Sequence, residues 1–315
     1  MNSRERVLTA LSFTEPDRVP FNLRPSETMR EILRQRVGDD GADFADYFSH
    51  DVRIVPLDVP PRTPPAGIPA TEWTPGPTEQ ATVACAETIR SIQARGFAVC
   101  SGYHVGVFEQ AKDWLGDAEA LTMVYDDPAT LRALLERITQ WKMQVYGAYV
   151  HAGADIVHIG DDLGTQRGLV MNPETYREWY RPCHAELVRH FRGIRPDVKI
   201  AFHCCGHVTP LIPDLIDIGI DILEAVQAET MDISHLKREF GRDIAFWGAV
   251  GAQTVLARTT PEQVIEGVRQ TLAIMAPGGG HIASPCHTLT DEVPWESVLA
   301  FHEAMRMYGA YPIRR

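Results

Sequence analysis

The chain has 315 residues, 44% of them hydrophobic, and a formal net charge of −12. One α/β barrel of about 250 residues with extensions fits that length, while the acidic balance and the lack of a long basic run argue against a nucleic-acid partner. Six cysteines do not make a disulfide framework in a chain this long, no stretch approaches the roughly 20 apolar residues of a membrane span, and no signal-length apolar run follows Met1–Arg6, so a reducing, cytoplasmic setting is expected.

Taken in chain order, Ser3 can cap a short helix with Val7, Leu8 and Leu11 on one stripe. Pro16 to Phe21 turns into an expected first strand. Eight prolines between Pro56 and Pro77 make a long extended loop, neither helix nor central strand. Neither flank looks self-sufficient, so this is read as a covering loop and residues 1–315 as one domain. Phe97–Cys100 reads as a strand followed by a Gly-rich loop and a helix. Pro128 to His151 reads as a long helix with Leu131, Leu134, Leu135 and Ile138 on one face. Asp155–Ile159 is a short strand, and Pro173 opens a helix at its first turn. Then come strand Val198–Phe202, helix Pro210–Ile218, strands Asp221–Leu223 and Ile244–Trp247, helix Pro261–Met275, strand Gly280–Ser284 and helix Trp295–Tyr308.

Short apolar strands alternating with amphipathic helices mean βα units and a parallel sheet. No Gly-x-Gly-x-x-Gly follows a strand, which weakens a dinucleotide reading, and Gly278-Gly279-Gly280 precedes a strand and reads as a turn. Repetition nearly to the C-terminus favours a closed (β/α)8 TIM barrel, with an N-terminal extension and the Pro-rich loop, over an open sheet.

In such a barrel, residues just past the strand C-termini converge on one site. Here those positions hold Tyr103, His104, Asp161, Asp162, His203, Cys205, His207, Glu224, Gln227, Gln253, Cys286 and His287. Alternation along a strand turns His203 and Cys205 to one face and Cys204 to the other. Imidazole and thiolate on one face, with Cys286 on a different strand 81 residues on, form a metal-ligand pattern that would leave zinc an open fourth position. Two alternatives stand beside it. The thiols can be buried apolar groups, the reading adopted for Cys85, Cys100, Cys183 and Cys204. His203 and Cys205 can form a nucleophile pair, although i and i+2 on a strand lie about 6.6 Å apart. Asp161 and Asp162 can orient a ligand, contact substrate or cap the next turn. Glu224 can be a general acid, a labile fourth ligand or a solvated carboxylate. Trp73, Trp114, Trp141, Trp179 and Trp295 read as packing, and Tyr103 as a substrate contact.

Ser3–Leu8 through Pro16–Pro20, Asp161-Asp162-Leu163-Gly164-Thr165-Gln166, Met171-Asn172-Pro173, Phe246-Trp247-Gly248 and the last Gly-rich strand into Ser284-Pro285 resemble the uroporphyrinogen decarboxylase superfamily over nearly the whole chain. Within it, the chain resembles the zinc-dependent, corrinoid-linked methyltransferase branch, whose His-x-Cys motif and distant third Cys match His203, Cys205 and Cys286. The resemblance implies a TIM barrel, zinc, and a methyl group moving between a small methylated compound or thiol and a corrinoid carried by a partner protein. True decarboxylases carry an Arg-rich loop after the first strand, where this chain reads Asn22-Leu23-Arg24-Pro25-Ser26 with a single Arg.

Three functions follow as expectations. The first is zinc-dependent methyl transfer, with metal on His203, Cys205 and Cys286, catalysis by Glu224 and Asp161, and substrate contacts from Tyr103, His104, Asp162, Gln166, His207, Gln253 and His287. The second is a cofactor-independent decarboxylase in which Asp161 or Asp162 stabilises a pyrrole-like cation. The third is a non-catalytic barrel with a structural zinc. A homodimer is left open.

Overall fold

The computed structural model describes residues 1–57, 69 and 77–313. Most of the proline-rich loop, Trp73 included, lies outside the described residues. Helices α1 (Ser3–Ala10), α2 (Glu27–Val37) and α3 (Phe44–Tyr47) precede strand β1 (Val52–Val55). Then follow α4 (Glu79–Ala94), β2 (Ala98–Ser101), α5 (Val107–Leu115), α6 (Asp117–Asp126), α7 (Pro128–Ala152) and β3 (Ile156–Gly160). A short α8 (Pro173–Thr175) runs through a π-helical turn (Tyr176–Tyr180) into α9 (Arg181–Ile194), before β4 (Lys199–His203), α10 (Ile212–Asp217), β5 (Ile222–Val226) and α11 (Ile233–Phe240). The chain ends with β6 (Ala245–Val250), α12 (Pro261–Met275), β7 (His281–Pro285) and α13 (Trp295–Tyr308).

The helices start where local chemistry sets them. Asp127 accepts the Thr130 N–H ahead of Pro128, and α7 stops at Gly153 with φ +92°, a left-handed position glycine takes without strain. Thr260 and Gln263 form a capping box around Pro261. At α1 the cap is Asn2, whose side chain accepts the Glu5 N–H, and Ser3 is already helical. Five helices, α2, α3, α4, α6 and α11, fall outside the sequence-based set. Their apolar stripes are short: α2 buries only Met29 and Leu33, α4 Cys85 and Ile89, α11 Leu236 alone.

The seven strands form one parallel sheet in sequential order β1 to β7. Inward residues of every strand (Val52, Ala98, Cys100, Ile156, Ala201, Ile222, Ala245, Trp247, Ile282) join one cluster with Val7 and Leu11 of α1. The sheet is therefore curled around a common interior, with α1 plugging its N-terminal end. Burying Val7 and Leu11 there is worth roughly 1.5–3 kcal/mol each. The expected first strand at Pro16–Phe21 is not a strand. Prolines 16 and 20 offer no N–H to a ladder, and the stretch from Pro16 to Pro25 makes only isolated bridges, Arg18 with Ala310, Phe21 with Ala283 and Pro25 with Leu289. It also gives the Phe21 carbonyl to Asp51 N–H, so it bonds to β7 and to the start of β1 without becoming an eighth strand among the described residues. A second apolar layer lies between strands and helices, including Val99, Val157, Phe202, Leu223 and Phe246 from the outward positions. No helix of the described residues is long and apolar enough to cross a membrane.

Candidate active site

The C-terminal ends of β2 to β7 bring the polar residues together around His203. β4 ends at His203, and the chain then turns through Gly206 at φ +80°. A Cβ on Gly206 would lie 2.5 Å from the Gly164 carbonyl carbon. The loops after β3 and β4 therefore touch backbone to backbone, and this contact seats Cys205. Its N–H donates to Asp162 Oδ1 at 2.8 Å, and its Sγ lies 3.5 Å from His203 Nε2. The extended-strand spacing of about 6.6 Å overstated this separation because the chain turns immediately after His203. Cys204 faces away, buried, with its sulfur accepting the Leu163 N–H at 3.2 Å.

On its other side, His203 Nδ1 donates to Glu224 Oε2 at 2.5 Å, and His158 Nε2 donates to the same oxygen at 2.8 Å. Arg24 Nη1 donates to Glu224 Oε1 at 2.6 Å. Glu224 is 2% exposed. Burial alone would favour its neutral form, yet Arg24, His203 and His158 together hold its carboxyl well below the usual carboxylate range. Burial likewise opposes protonation of His203, but the Glu224 charge and the hydrogen bonds to Cys205 and Glu224 outweigh it and raise its pKa to about 10. For His158 burial wins, and its pKa falls. The ring of Tyr103 packs over both imidazoles, 4.7 Å from His203 and 5.3 Å from His158 between centroids, and its hydroxyl donates to Glu109.

Among the described residues, donor atoms lie within 4.8 Å of one another in two groups, His158/His203/Glu224 and Asp162/His203/Cys205. Cys286 belongs to neither. Its thiol donates to Glu229 Oε2 at 3.2 Å and accepts the Ala252 N–H at 3.3 Å. Burial, then the Glu229 charge, pushes this thiol up, with a smaller contribution from the nearby Cys205. Glu229 is itself fixed by the N–H groups of Gln253 and Thr254.

Other expected residues sit elsewhere. Asp161 is fully buried and its carboxylate is engaged on every side. Oδ1 accepts Glu109 N–H and Oδ2 accepts Val107 N–H, both at 2.9 Å, while His184 Nε2 stands 2.8 Å from Oδ2. It caps the start of α5. Gly106 allows this approach, since a Cβ there would lie 1.7 Å from the Gly160 carbonyl oxygen. His104 points away from the mouth, buried against α7, with its Nε2 3.1 Å from the Tyr149 hydroxyl, so it does not line the site. Gln166 sits exposed at a loop tip and His287 is exposed beyond Cys286. His207 Nδ1 bonds the Thr230 carbonyl at 2.9 Å, and Gln253 contributes its backbone N–H to Glu229 while its side chain is exposed. Three residues of the cluster, Arg24, His158 and Glu229, were missed. For His158 the signal was a lone imidazole on the inward register of an otherwise apolar strand. A solvent-open crevice of about 540 Å³, lined by Asn22, Arg24, Ile54, Tyr103, His158 and Thr288 among others, leads to this cluster.

A family model described as uroporphyrinogen decarboxylase (URO-D) matches residues 80–308. Among curated proteins, the uroporphyrinogen decarboxylase of Actinobacillus succinogenes is 26% identical over 199 residues, 62% of this chain and 54% of that protein. That of Pseudomonas aeruginosa is 27% identical over 188 residues, 60% of this chain and 51% of that protein. The chain thus spans about half the length of the curated relatives it matches. Among solved structures, a methyltransferase from Methanosarcina mazei superposes with a TM-score of 0.72 over 98% of this chain and 99% of that one, at 16% identity. An L-ribulose 3-epimerase reaches a TM-score of 0.51 at 11% identity, covering 93% of each chain. At those identities the likeness speaks to fold alone.

Proposed function

We propose that this chain, which belongs to the uroporphyrinogen decarboxylase family, moves a methyl group between a small methylated compound or thiol and a corrinoid carried by a partner protein, with zinc held at the mouth of the curled sheet. The observation that carries this reading is the pair His203 Nε2 and Cys205 Sγ, 3.5 Å apart. Tetrahedral zinc with bonds of about 2.0 Å to nitrogen and 2.3 Å to sulfur separates its ligands by about 3.5 Å. Asp162 Oδ1 lies at the same 3.5 Å from His203 Nε2. Cys286, bound to Glu229 and the Ala252 N–H, would complete the set once its thiol is released from Glu229. When bound, zinc would serve as a Lewis acid at the heteroatom that carries or receives the methyl group.

The chain's own residues would do the rest. Glu224 orients the His203 ring, Asp162 fixes the backbone N–H of Cys205, and Tyr103 roofs the imidazoles against water. The crevice beside Tyr103 and His158 admits a small molecule. A methyltransferase shares nearly the full length of the fold, so the architecture is compatible with this reading. The curated sequence relatives favour a second one, decarboxylation of a porphyrinogen. Against it, the lone Arg24 of the loop that should clamp substrate carboxylates is turned inward to Glu224.

The test combines zinc analysis of the purified protein with a methyl-transfer assay to cob(I)alamin across methylated ethers, amines and thioethers, with and without a chelator. Stoichiometric zinc that disappears in Cys205→Ala, with chelator-sensitive transfer, is the expected result. Metal-free protein that releases CO2 from a porphyrinogen would establish the second reading instead.

A further inference from the structure

His203 stands between two groups of donors and offers one ring nitrogen to each. The inner group is the more buried, and its atoms are already joined to one another: both imidazoles donate to Glu224 Oε2, and Arg24 binds Oε1. A divalent cation placed there would have to displace both ring protons and sit beside a fixed guanidinium. In the outer group, Asp162, Cys205 and His203 Nε2, the cation hydrogen-bonded to the donors is His203 itself, which gives up the Nε2 proton when a metal binds. The inner group is therefore no second metal site, and a different role must explain why three nitrogen donors converge on one buried carboxylate.

Imidazole can ligate through either nitrogen, and a hydrogen bond at one decides which lone pair is free at the other. A carboxyl group accepts most strongly from an imidazole while it is anionic and held still. Left alone, the buried Glu224 would be costly as an anion. Arg24 supplies the compensating charge from 200 residues away, and His158 supplies a second donor on the oxygen that His203 uses.

Resting on the zinc reading above, we infer that Arg24 and His158 are positioning residues. They clamp Glu224 so that it accepts the hydrogen bond from His203 Nδ1–H, which leaves Nε2 facing Cys205 and the bound metal. Arg24 thus acts on the metal through two intermediaries, Glu224 and His203, and never touches it.

The test is zinc affinity by competition with a chromophoric chelator, with the visible absorption of the cobalt(II)-substituted protein as a second readout. Arg24→Met should bind zinc 10- to 100-fold more weakly, the range seen when partners behind a metal ligand are removed, and should shift the cobalt spectrum. Arg24→Lys, which keeps charge and a donor, should recover most of both. His158→Phe keeps a ring beside Trp247 and should weaken binding by a smaller factor. Should Arg24→Met fail to fold, His158→Phe and Arg24→Lys make the same comparison. Unchanged affinity and spectrum in Arg24→Met, or in His158→Phe where that variant stands in, refute the positioning role alone. Failure of Arg24→Lys to recover either readout does the same. Wild-type protein that takes up no zinc overturns both this inference and the function it rests on.

Discussion

At the N-terminal ends of the strands, Asp51, Asp155 and Asp221 each stand immediately before a strand (β1, β3 and β5), and each repeats one arrangement. The carboxylate accepts a backbone N–H from the preceding segment, from Phe21, Val99 and Ile200 respectively. It also pairs with arginine: Arg6 and Arg18 for Asp51, Arg4 for Asp155, Arg192 for Asp221. At the C-terminal ends, Asp162, Glu224 and Glu229 meet imidazoles and thiols, with Arg24 joining the imidazoles on Glu224. Arginine stays charged at any working pH and cannot ligate a metal, so the first arrangement ties strands together and does nothing more. Imidazole and thiol exchange a proton for a metal, so the second can change state. Clustered carboxylates become informative only when their partners are known.

Variants at the two ends should therefore fail in opposite ways. The largest effect on stability belongs to Asp51→Ala, which leaves Arg6 and Arg18 facing each other without their shared anion. Breaking a buried pair in this way costs about 3–5 kcal/mol. Denaturant titration should register that loss, while zinc bound per folded molecule stays at the wild-type level. Cys205→Ala should do the reverse, abolishing zinc uptake and moving the metal-free midpoint by no more than about 1 kcal/mol. A shared outcome for the two variants would erase the distinction between the ends.

Acid and base should separate them next. His281, at the N-terminal end of β7, is fully buried, and desolvation depresses its pKa to about 3. Below the unfolded value of about 6.5 the unfolded chain takes up a proton that the fold refuses, so stability falls by up to about 1.4 kcal/mol per pH unit down to about 3. His203 has the opposite sign, with a folded pKa raised to about 10. In metal-free protein its contribution is complete below pH 6.5 and is lost as pH rises towards 10. Urea midpoints from pH 4.5 to 9.5 should show both limbs, the acid slope lessened in His281→Leu and the alkaline slope in His203→Gln. Equal slopes in wild type and variants would contradict the assignment.

The smallest effect lies on α1, the plug. Asn2→Ala removes the side chain that accepts the Glu5 N–H and should lower stability by about 1 kcal/mol without altering metal uptake. A loss several times larger in a melting experiment would mean that the plug unfolds with its cap.

Much of the architecture was legible because it is written in short-range pattern. The apolar runs at β2 to β7 are those of strands buried on both faces, and Pro128, Pro173 and Pro261 mark helix entrances through a fixed φ and an absent donor. His203-x-Cys205 was legible for the same reason, since alternation puts positions two apart on one side. Where side chains from different strands meet was not legible. Arg24 reaches Glu224 across 200 positions and His158 reaches it across 66, and no local periodicity encodes such encounters. Asp161 and Asp162 are adjacent and chemically identical, yet one caps α5 and the other faces His203, because successive residues leave the strand end in different directions. The sequence alone thus determined the parallel βα order and the inventory of donors. Only the closure of the curled sheet decided which donors meet, because that depends on distances between strand ends and not on spacing along the chain.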